Sequence, residues 1–407
     1  MEIKERINCL QKLMKENDIQ AYIIPTDDFH SSEYVGDYFK CREYMSGFTG
    51  SAGTLVALEE RAYLWTDGRY FLQADKQLEK TGIVLMKSGQ PHVPIIEKFL
   101  KRELKEGDTI GFDGRTISKN FADKLLEEIK GKNIKFKGNI DLVNIIWRNR
   151  PKISKEPVWQ LDIKYAGISR KEKMKKVREK MEEAGADVFI DAALDEIAWL
   201  LNLRGNDIAY TPVFLSYMII REGMAILCIH REVVSEKIKD ELKEDGIEIA
   251  EYEEIYKLAD EISDKEKVLY DSSSINYNLY DSINKNATII NRESPIALMK
   301  AMKNPVEVEN IKGAHIKDGV AMCKFIYWLK KNVPLGNVSE ISAAGKLVEF
   351  RAQQEGFLDQ SFAPIFGYGE HGAIIHYSAT EESNVIMKSK GLCLIDTGAH
   401  YNDGTTD

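Results

Sequence analysis

Apolar residues near the start of the chain recur at helical spacing: Ile3, Ile7, Leu10, Leu13 and Met14 fall on one face. The run Ala21-Tyr-Ile-Ile24 then reads as a strand, closed by Pro25, which has no N–H to give a ladder. Thr54–Leu58 and Ala62–Trp65 read as further strands, and Arg69 to Leu78 as a helix. Strands alternating with helices predict an α/β layer over residues 1–150. From Arg148 to Pro157 the chain turns polar and carries Pro151 and Pro157, so a linker is expected there.

Beyond the linker the same plan restarts, over about residues 158–296. Ser169 stands as a cap for a helix over Arg170–Ala184, and Asp187-Val-Phe-Ile190 reads as the strand after it. Leu13 to Ile24 shows the same succession of helix end, turn and strand. Tyr44-Met-Ser-Gly-Phe-Thr-Gly50 likewise matches Trp199-Leu-Leu-Asn-Leu-Arg-Gly205 in relative place. A duplicated α/β unit is expected, with a spacing far beyond the roughly 20–50 residues of a solenoid repeat. A third segment, 297–407, opens with helices over Val306–Leu329 and Val338–Gln354, the latter with Ser339 as N-cap. After Gly356 glycines and strand formers take over, which predicts an α+β arrangement. Within it, Gly372-Ala-Ile-Ile375 reads as a strand-like run delivering His376.

Composition narrows the function classes. The chain has 407 residues, 43% hydrophobic and 30% charged, as an ordinary globular protein does. A net charge of −9 argues against a general nucleic-acid surface. Cys9, Cys41, Cys228, Cys323 and Cys393 are far apart and show no Cys-x-x-Cys spacing; reduced, mostly buried thiols are expected. The first residues, Met-Glu-Ile-Lys-Glu-Arg, show no signal-peptide apolar core, and no apolar run nears the ~18 residues that span a membrane. A cytoplasmic location is the expectation.

The chemistry concentrates in Asp396-Thr-Gly-Ala-His-Tyr-Asn-Asp-Gly-Thr-Thr-Asp407. Gly391-Leu-Cys-Leu-Ile395 reads as a buried strand ending at Asp396, and Asn402-Asp403-Gly404 supplies residues that tolerate φ > 0 in a hairpin turn. Such a hairpin brings Asp396 and Asp407, eleven positions apart, onto neighbouring strands. Two carboxylates that close repel unless a proton or cation lies between them, and a metal site resolves this. In isolation the pair reads equally as ordinary turn and surface acids. Two carboxylates alone under-coordinate an oxygen-loving divalent ion. The chain is therefore expected to be the first part of a longer enzyme and, by itself, an inactive fragment.

Several motifs in family order resemble the long, three-domain aminopeptidase P (Xaa-Pro aminopeptidase) family of the creatinase-like, pita-bread metallopeptidases. Ala21-Tyr-Ile-Ile-Pro25, Ser46-Gly-Phe-Thr-Gly-Ser-Ala-Gly53 and Trp65-Thr-Asp-Gly-Arg-Tyr-Phe-Leu-Gln-Ala74 resemble its first domain. Leu194-Asp-Glu-Ile-Ala-Trp-Leu-Leu-Asn-Leu-Arg-Gly205 resembles its second. Ala314-His-Ile-Lys-Asp318, Gly372-Ala-Ile-Ile-His-Tyr377 and the run from Ile395 to Asp407 resemble the start of its catalytic domain. The resemblance implies two creatinase-like α/β domains followed by the first, truncated part of a pita-bread domain. It implies two divalent ions, most often Mn2+, with Asp396 and Asp407 as ligands and a His and two Glu supplied from beyond Asp407. It implies that His376 contacts substrate and serves the reacting centre, and that Arg69 reaches the peptide cleft.

Peptide substrates with proline second, and a homodimer, belong to the same expectation. A surface pair with Asp67 is the plain alternative for Arg69, and a hydrogen-bonded strand end for His376. Ser46–Gly53 is glycine-rich but lacks Gly-Lys-Ser/Thr, so it reads as turns and not as a phosphate loop. His371 and His400 match no family ligand position, and His30, His92, His230 and His315 have no cluster partners and read as structural. Competing functions are an Xaa-Pro dipeptidase, a creatinase-type hydrolase, or an inactive peptidase-like module that binds proteins.

Overall fold

The computed structural model describes residues 1–407. The chain folds into two compact units. One comprises residues 1–159, 170–208 and 213–300; the other comprises 160–169, 209–212 and 301–407.

The first unit holds two six-stranded sheets. The first sheet is made of Ala21–Pro25, Thr54–Leu58, Ala62–Thr66, Ile83–Lys87, Thr109–Phe112 and Lys135–Lys137. Counted along the chain, these lie in the order four-three-two-one-five-six. The second sheet is made of Val188–Asp191, Ser216–Arg221, Ala225–Ile229, Ile247–Ala250, Lys267–Tyr270 and Thr288–Asn291, in the same spatial order. Pairing directions also repeat: strand one is antiparallel to two and parallel to five, and two is antiparallel to three, in both sheets. The first strand of each sheet is central and faces helices on both sides, which is why Ala21-Tyr-Ile-Ile and Val188-Phe-Ile read as unbroken apolar runs.

Helix Ile3–Glu16 buries Ile7, Leu10 and Met14 against the first sheet. Helix Arg170–Ala184 buries Met174, Val177 and Met181 against the second. Each half also contains a short helix stopped by a left-handed residue: Gly47 (φ 72°) after Cys41–Ser46, and Asn202 (φ 52°) after Leu194–Leu201. These two residues occupy the same place in the matching heptapeptides. Glycine and asparagine are the residue types that enter this conformation most readily, so the duplication extends to a helix stop.

The second unit is built on two helices, Pro305–Asn332 and Glu340–Arg351. Asn304 caps the first and Ser339 the second, each through its side-chain oxygen. Phe357–Gln360, Ala399–Tyr401 and Gly404–Thr405 form one antiparallel sheet, and Ile365–Tyr368 pairs with Cys393–Asp396 in another.

Three expectations are corrected. Gly372–Ile375 is not a strand: Gly369–Ala373 forms a 3-10 turn, and His376 sits in the bend after it. The backbone leaves the ladder there because the carboxylate of Glu340, fully buried, accepts from Tyr368 N (2.7 Å) and engages His371 Nδ1 (2.9 Å). The strand before Asp396 is not buried, since it has one partner strand and Leu392 and Leu394 are exposed. Of the five free cysteines, Cys41 and Cys228 alone are buried. No helix is long and apolar enough to cross a membrane.

Candidate metal centre

The hairpin turn forms where the sequence places it, with His400 opposite Thr405 and Tyr401 opposite Gly404, but the strand ending at Asp396 is not one of its arms: Cys393–Asp396 pairs with Ile365–Tyr368 in a separate sheet. The turn itself is made differently. None of Asn402, Asp403 or Gly404 has positive φ. The turn is held from outside instead. Lys317 Nζ reaches both carboxylate oxygens of Asp403 at 2.7 Å, and Asn402 N donates to Gly356 O. Gly404 suits a close approach: a Cβ there would stand a tight 3.1 Å from Ile311 Cα and from Ala314 Cβ on the long helix. The strand therefore lies flat on that helix.

Asp396 closes the strand Cys393–Asp396, and Asp407 follows Thr406. Thr406 N donates to Ala399 O at 2.9 Å, which extends the hairpin ladder up to the residue before Asp407. Both aspartates are exposed, and neither carboxylate is given a hydrogen bond or ion pair by a neighbouring side chain. Three other acids of this unit are engaged: Asp318 by Arg351, Asp403 by Lys317, Glu340 by His371 and Tyr377. Two uncommitted carboxylates are hard oxygen donors, the type that Mg2+, Ca2+ and Mn2+ take. The donor set fits the ions that the family resemblance implies, as part of a ligand shell.

His376 is exposed and has φ 56°, a left-handed conformation uncommon for residues other than glycine, though histidine enters it more readily than most. Such backbone costs on the order of 1–3 kcal/mol and persists where its surroundings impose it. Here the next residue is the anchor. Tyr377 is buried, donates its hydroxyl to Glu340 (3.0 Å) and stacks on His371 at 4.5 Å between ring centroids. Sequence reading missed Glu340, which stands in the first turn of an ordinary helix; only its complete burial distinguishes it.

Both ring nitrogens of His400 are engaged. Nε2 lies 2.7 Å from Tyr210 O, and Nδ1 lies 2.8 Å from Thr405 Oγ1. A carbonyl only accepts, so Nε2 carries the proton and Nδ1 of the neutral ring accepts from the hydroxyl. This leaves neither nitrogen for a cation. In the other unit Arg69 forms a two-pronged pair with Asp67, Nε to Oδ1 and Nη2 to Oδ2, each 2.8 Å. The hydrogen bonds to Asp67 raise its basicity further. His230, expected to stand alone, lies with Glu232 and Glu251, their ligand atoms all within 4.8 Å. Those carboxylates are already matched by Lys155 and Arg231. His30 is buried between Ala192 O and Tyr252 Oη, and burial lowers its basicity, as suits a structural histidine.

Residues 6–146 match the Creatinase/Prolidase N-terminal domain family, residues 149–307 match a second family of that description, and residues 309–407 match Metallopeptidase family M24. Aminopeptidase P2 of Arabidopsis thaliana is 37% identical and is matched over 100% of this chain and 62% of its own length. Xaa-Pro aminopeptidase 1 of Dictyostelium discoideum is 36% identical over 100% of this chain and 66% of its own length. For the probable Xaa-Pro aminopeptidase P of Sordaria macrospora the figures are 37%, 99% and 68%. The chain thus spans less than two thirds of the length of the first two of these relatives. The crystal structure of X-prolyl aminopeptidase from Caenorhabditis elegans, described as a cytosolic enzyme with a di-nuclear active site, superposes with a TM-score of 0.93. It is 32% identical and covers 100% of this chain and 69% of that one. Two creatinase-type layers, an M24 segment and full-length relatedness at this level leave one assignment: the chain belongs to the Xaa-Pro aminopeptidase (aminopeptidase P) family.

Proposed function

We propose that the whole protein is a metal-dependent aminopeptidase that releases the N-terminal residue from peptides with proline in second position. The observation that carries this reading is the pair Asp396 and Asp407, exposed and uncommitted while Asp318, Asp403 and Glu340 of the same unit are each held by a partner. Family membership, and the di-nuclear site of the C. elegans relative, support two divalent ions; an all-oxygen share of the shell favours Mn2+. Such ions, when bound, supply Lewis-acid polarisation of the scissile carbonyl and an activated water.

The chain's own residues contribute the rest. Asp396 and Asp407 would hold the ions. His376, exposed in the turn before Tyr377, contacts substrate and exchanges a proton with the reacting centre. Arg69 is assigned to the peptide, with Asp67 holding its guanidinium in one plane. Proline in second position offers an imide without N–H and a ring of fixed φ, a shape a rigid pocket can select. A homodimer in the cytoplasm completes the proposal.

The test compares an Xaa-Pro-Pro tripeptide with the Xaa-Pro dipeptide, with Mn2+ present, for the wild-type protein and Asp407→Ala. Cleavage of the tripeptide that Asp407→Ala abolishes is the expected result. Preference for the dipeptide would reassign the protein as a dipeptidase. Undiminished turnover in Asp407→Ala would remove the site altogether.

A further inference from the structure

The motif Ala314-His-Ile-Lys-Asp318 takes no part in the chemistry proposed above, yet its last residue sits directly behind it. Asp318, on the long helix, forms a two-pronged ion pair with Arg351, the last residue of the following helix: Nε to Oδ1 at 2.7 Å and Nη2 to Oδ2 at 3.1 Å. Arg351 is 1% exposed. Its remaining donors all go to the residues just after Asp396: Nη1 to Thr397 Oγ1 (2.5 Å) and Gly398 O (2.9 Å), and Nη2 to Thr397 O (3.2 Å). The carboxylate of Asp318 faces the other strand. It accepts from Tyr401 Oη (3.1 Å) and from the hydroxyl of Thr406 (3.0 Å), the residue just before Asp407.

One buried ion pair therefore grips both strands at the positions adjoining the two aspartates. A buried pair of this kind is a poor source of stability, because desolvation offsets most of its attraction. What a guanidinium fork does supply is fixed direction, since its donors lie in one plane at set angles. The two carboxylates have no side-chain partner of their own and, as like charges, repel in the absence of a cation.

We infer that the Asp318–Arg351 pair, acting through Thr397 and Thr406, is a positioning device that sets the separation of Asp396 and Asp407 for divalent-cation binding. This rests on the metal reading of those two carboxylates. Groups that orient metal ligands from behind are worth roughly 10–100-fold in affinity in other metal sites, and the same scale is expected here.

The experiment titrates Mn2+ alone into the whole protein and follows free Mn2+ and the spin-coupled signal by electron paramagnetic resonance. Melting temperatures are recorded in metal-free buffer. Thr397→Val and Thr406→Val remove the hydroxyls at nearly constant volume; Thr406→Ser restores one of them, and Arg351→Lys keeps the charge without the fork. Both valine variants and Arg351→Lys should bind Mn2+ at least about tenfold more weakly and lose the coupled signal. Thr406→Ser should recover both; metal-free melting of Thr397→Val should stay near wild type, while that of Thr406→Val, which also takes the acceptor from the buried Ala399 N–H, should fall modestly with the fold retained. Wild-type affinity and spectrum in the valine variants, with Asp407→Ala still deficient, would overturn the positioning role and leave the site intact. Weakening that merely follows loss of the fold would overturn it as well. A wild-type protein that takes up no Mn2+ would overturn the underlying site assignment.

Discussion

A Cβ built on Gly398 would stand 2.1 Å from Ser361 Oγ and 2.2 Å from Thr406 O, whereas one on Gly404 would stand 3.1 Å from its nearest neighbours. The first is an overlap with backbone; the second is a tight contact that a few tenths of an ångström relieve. Gly404→Ala should cost about 1–3 kcal/mol, as modest overpacking does. Gly398→Ala should cost about 4 kcal/mol or more, in the range reserved for gross disruption. Denaturant unfolding of the two variants checks the order, and equal costs would show that the strands are not pressed together as described. At this scale the sequence was partly legible. Asn-Asp-Gly announced a turn, but its glycine answers to the helix beneath and not to φ. The roles of Asp318, Arg351 and Glu340 come from partners up to 88 positions away, which no local pattern records.

Whole elements were more legible, because each owes its existence to local periodicity and caps. The helix over Arg170–Ala184 and the cap at Ser339 fall where the pattern puts them. The strand expected at Gly372–Ile375 does not form, since the buried carboxylate of Glu340 holds Tyr368 N, His371 and Tyr377 on both sides of it and folds the segment into a turn. A second buried acid gives the helix Leu194–Leu201 a pH dependence. Glu196 is 7% exposed and accepts from the hydroxyl of Ser294. Burial pushes its pKa up to about 7; Asp195 and Asp271 add to the rise, while Ser294 and Lys300 oppose it. A carboxyl whose folded pKa lies above its unfolded value binds more protons when folded. Stability therefore falls as pH rises from about 4.5 through about 7. The full loss is on the order of 3 kcal/mol. Asp191, also raised by burial, adds in the same direction. Glu196→Gln should flatten the difference between unfolding free energies at pH 5.5 and pH 8. An unchanged slope in that variant would assign the pH dependence to another group.

At the scale of the whole molecule, one strand order used twice is the main fact. The repeated helix end, turn and strand made the duplication readable, since matching local signals demand matching topology. That the two layers share one compact unit was not readable, because it depends on contacts such as His30 with Tyr252, 222 positions apart. Arg69 lies in the first layer, remote in sequence from the proposed metal ligands. Arg69→Ala should therefore raise KM for longer peptides several-fold and leave metal content unchanged. Steady-state kinetics across peptide lengths, with metal analysis alongside, decide it; unaltered KM at every length would return Arg69 to a surface pair with Asp67.

The central claim is that Asp396 and Asp407 hold divalent metal. Cation binding to the folded state alone should also stabilise it, by about 2.7 kcal/mol at a hundredfold excess over Kd. The most direct test is metal content, measured by elemental analysis of the whole protein equilibrated with Mn2+ and freed of excess, beside Asp396→Ala and Asp407→Ala. The account predicts two ions per wild-type chain and a marked loss in each variant. Equal metal content in all three proteins would contradict it.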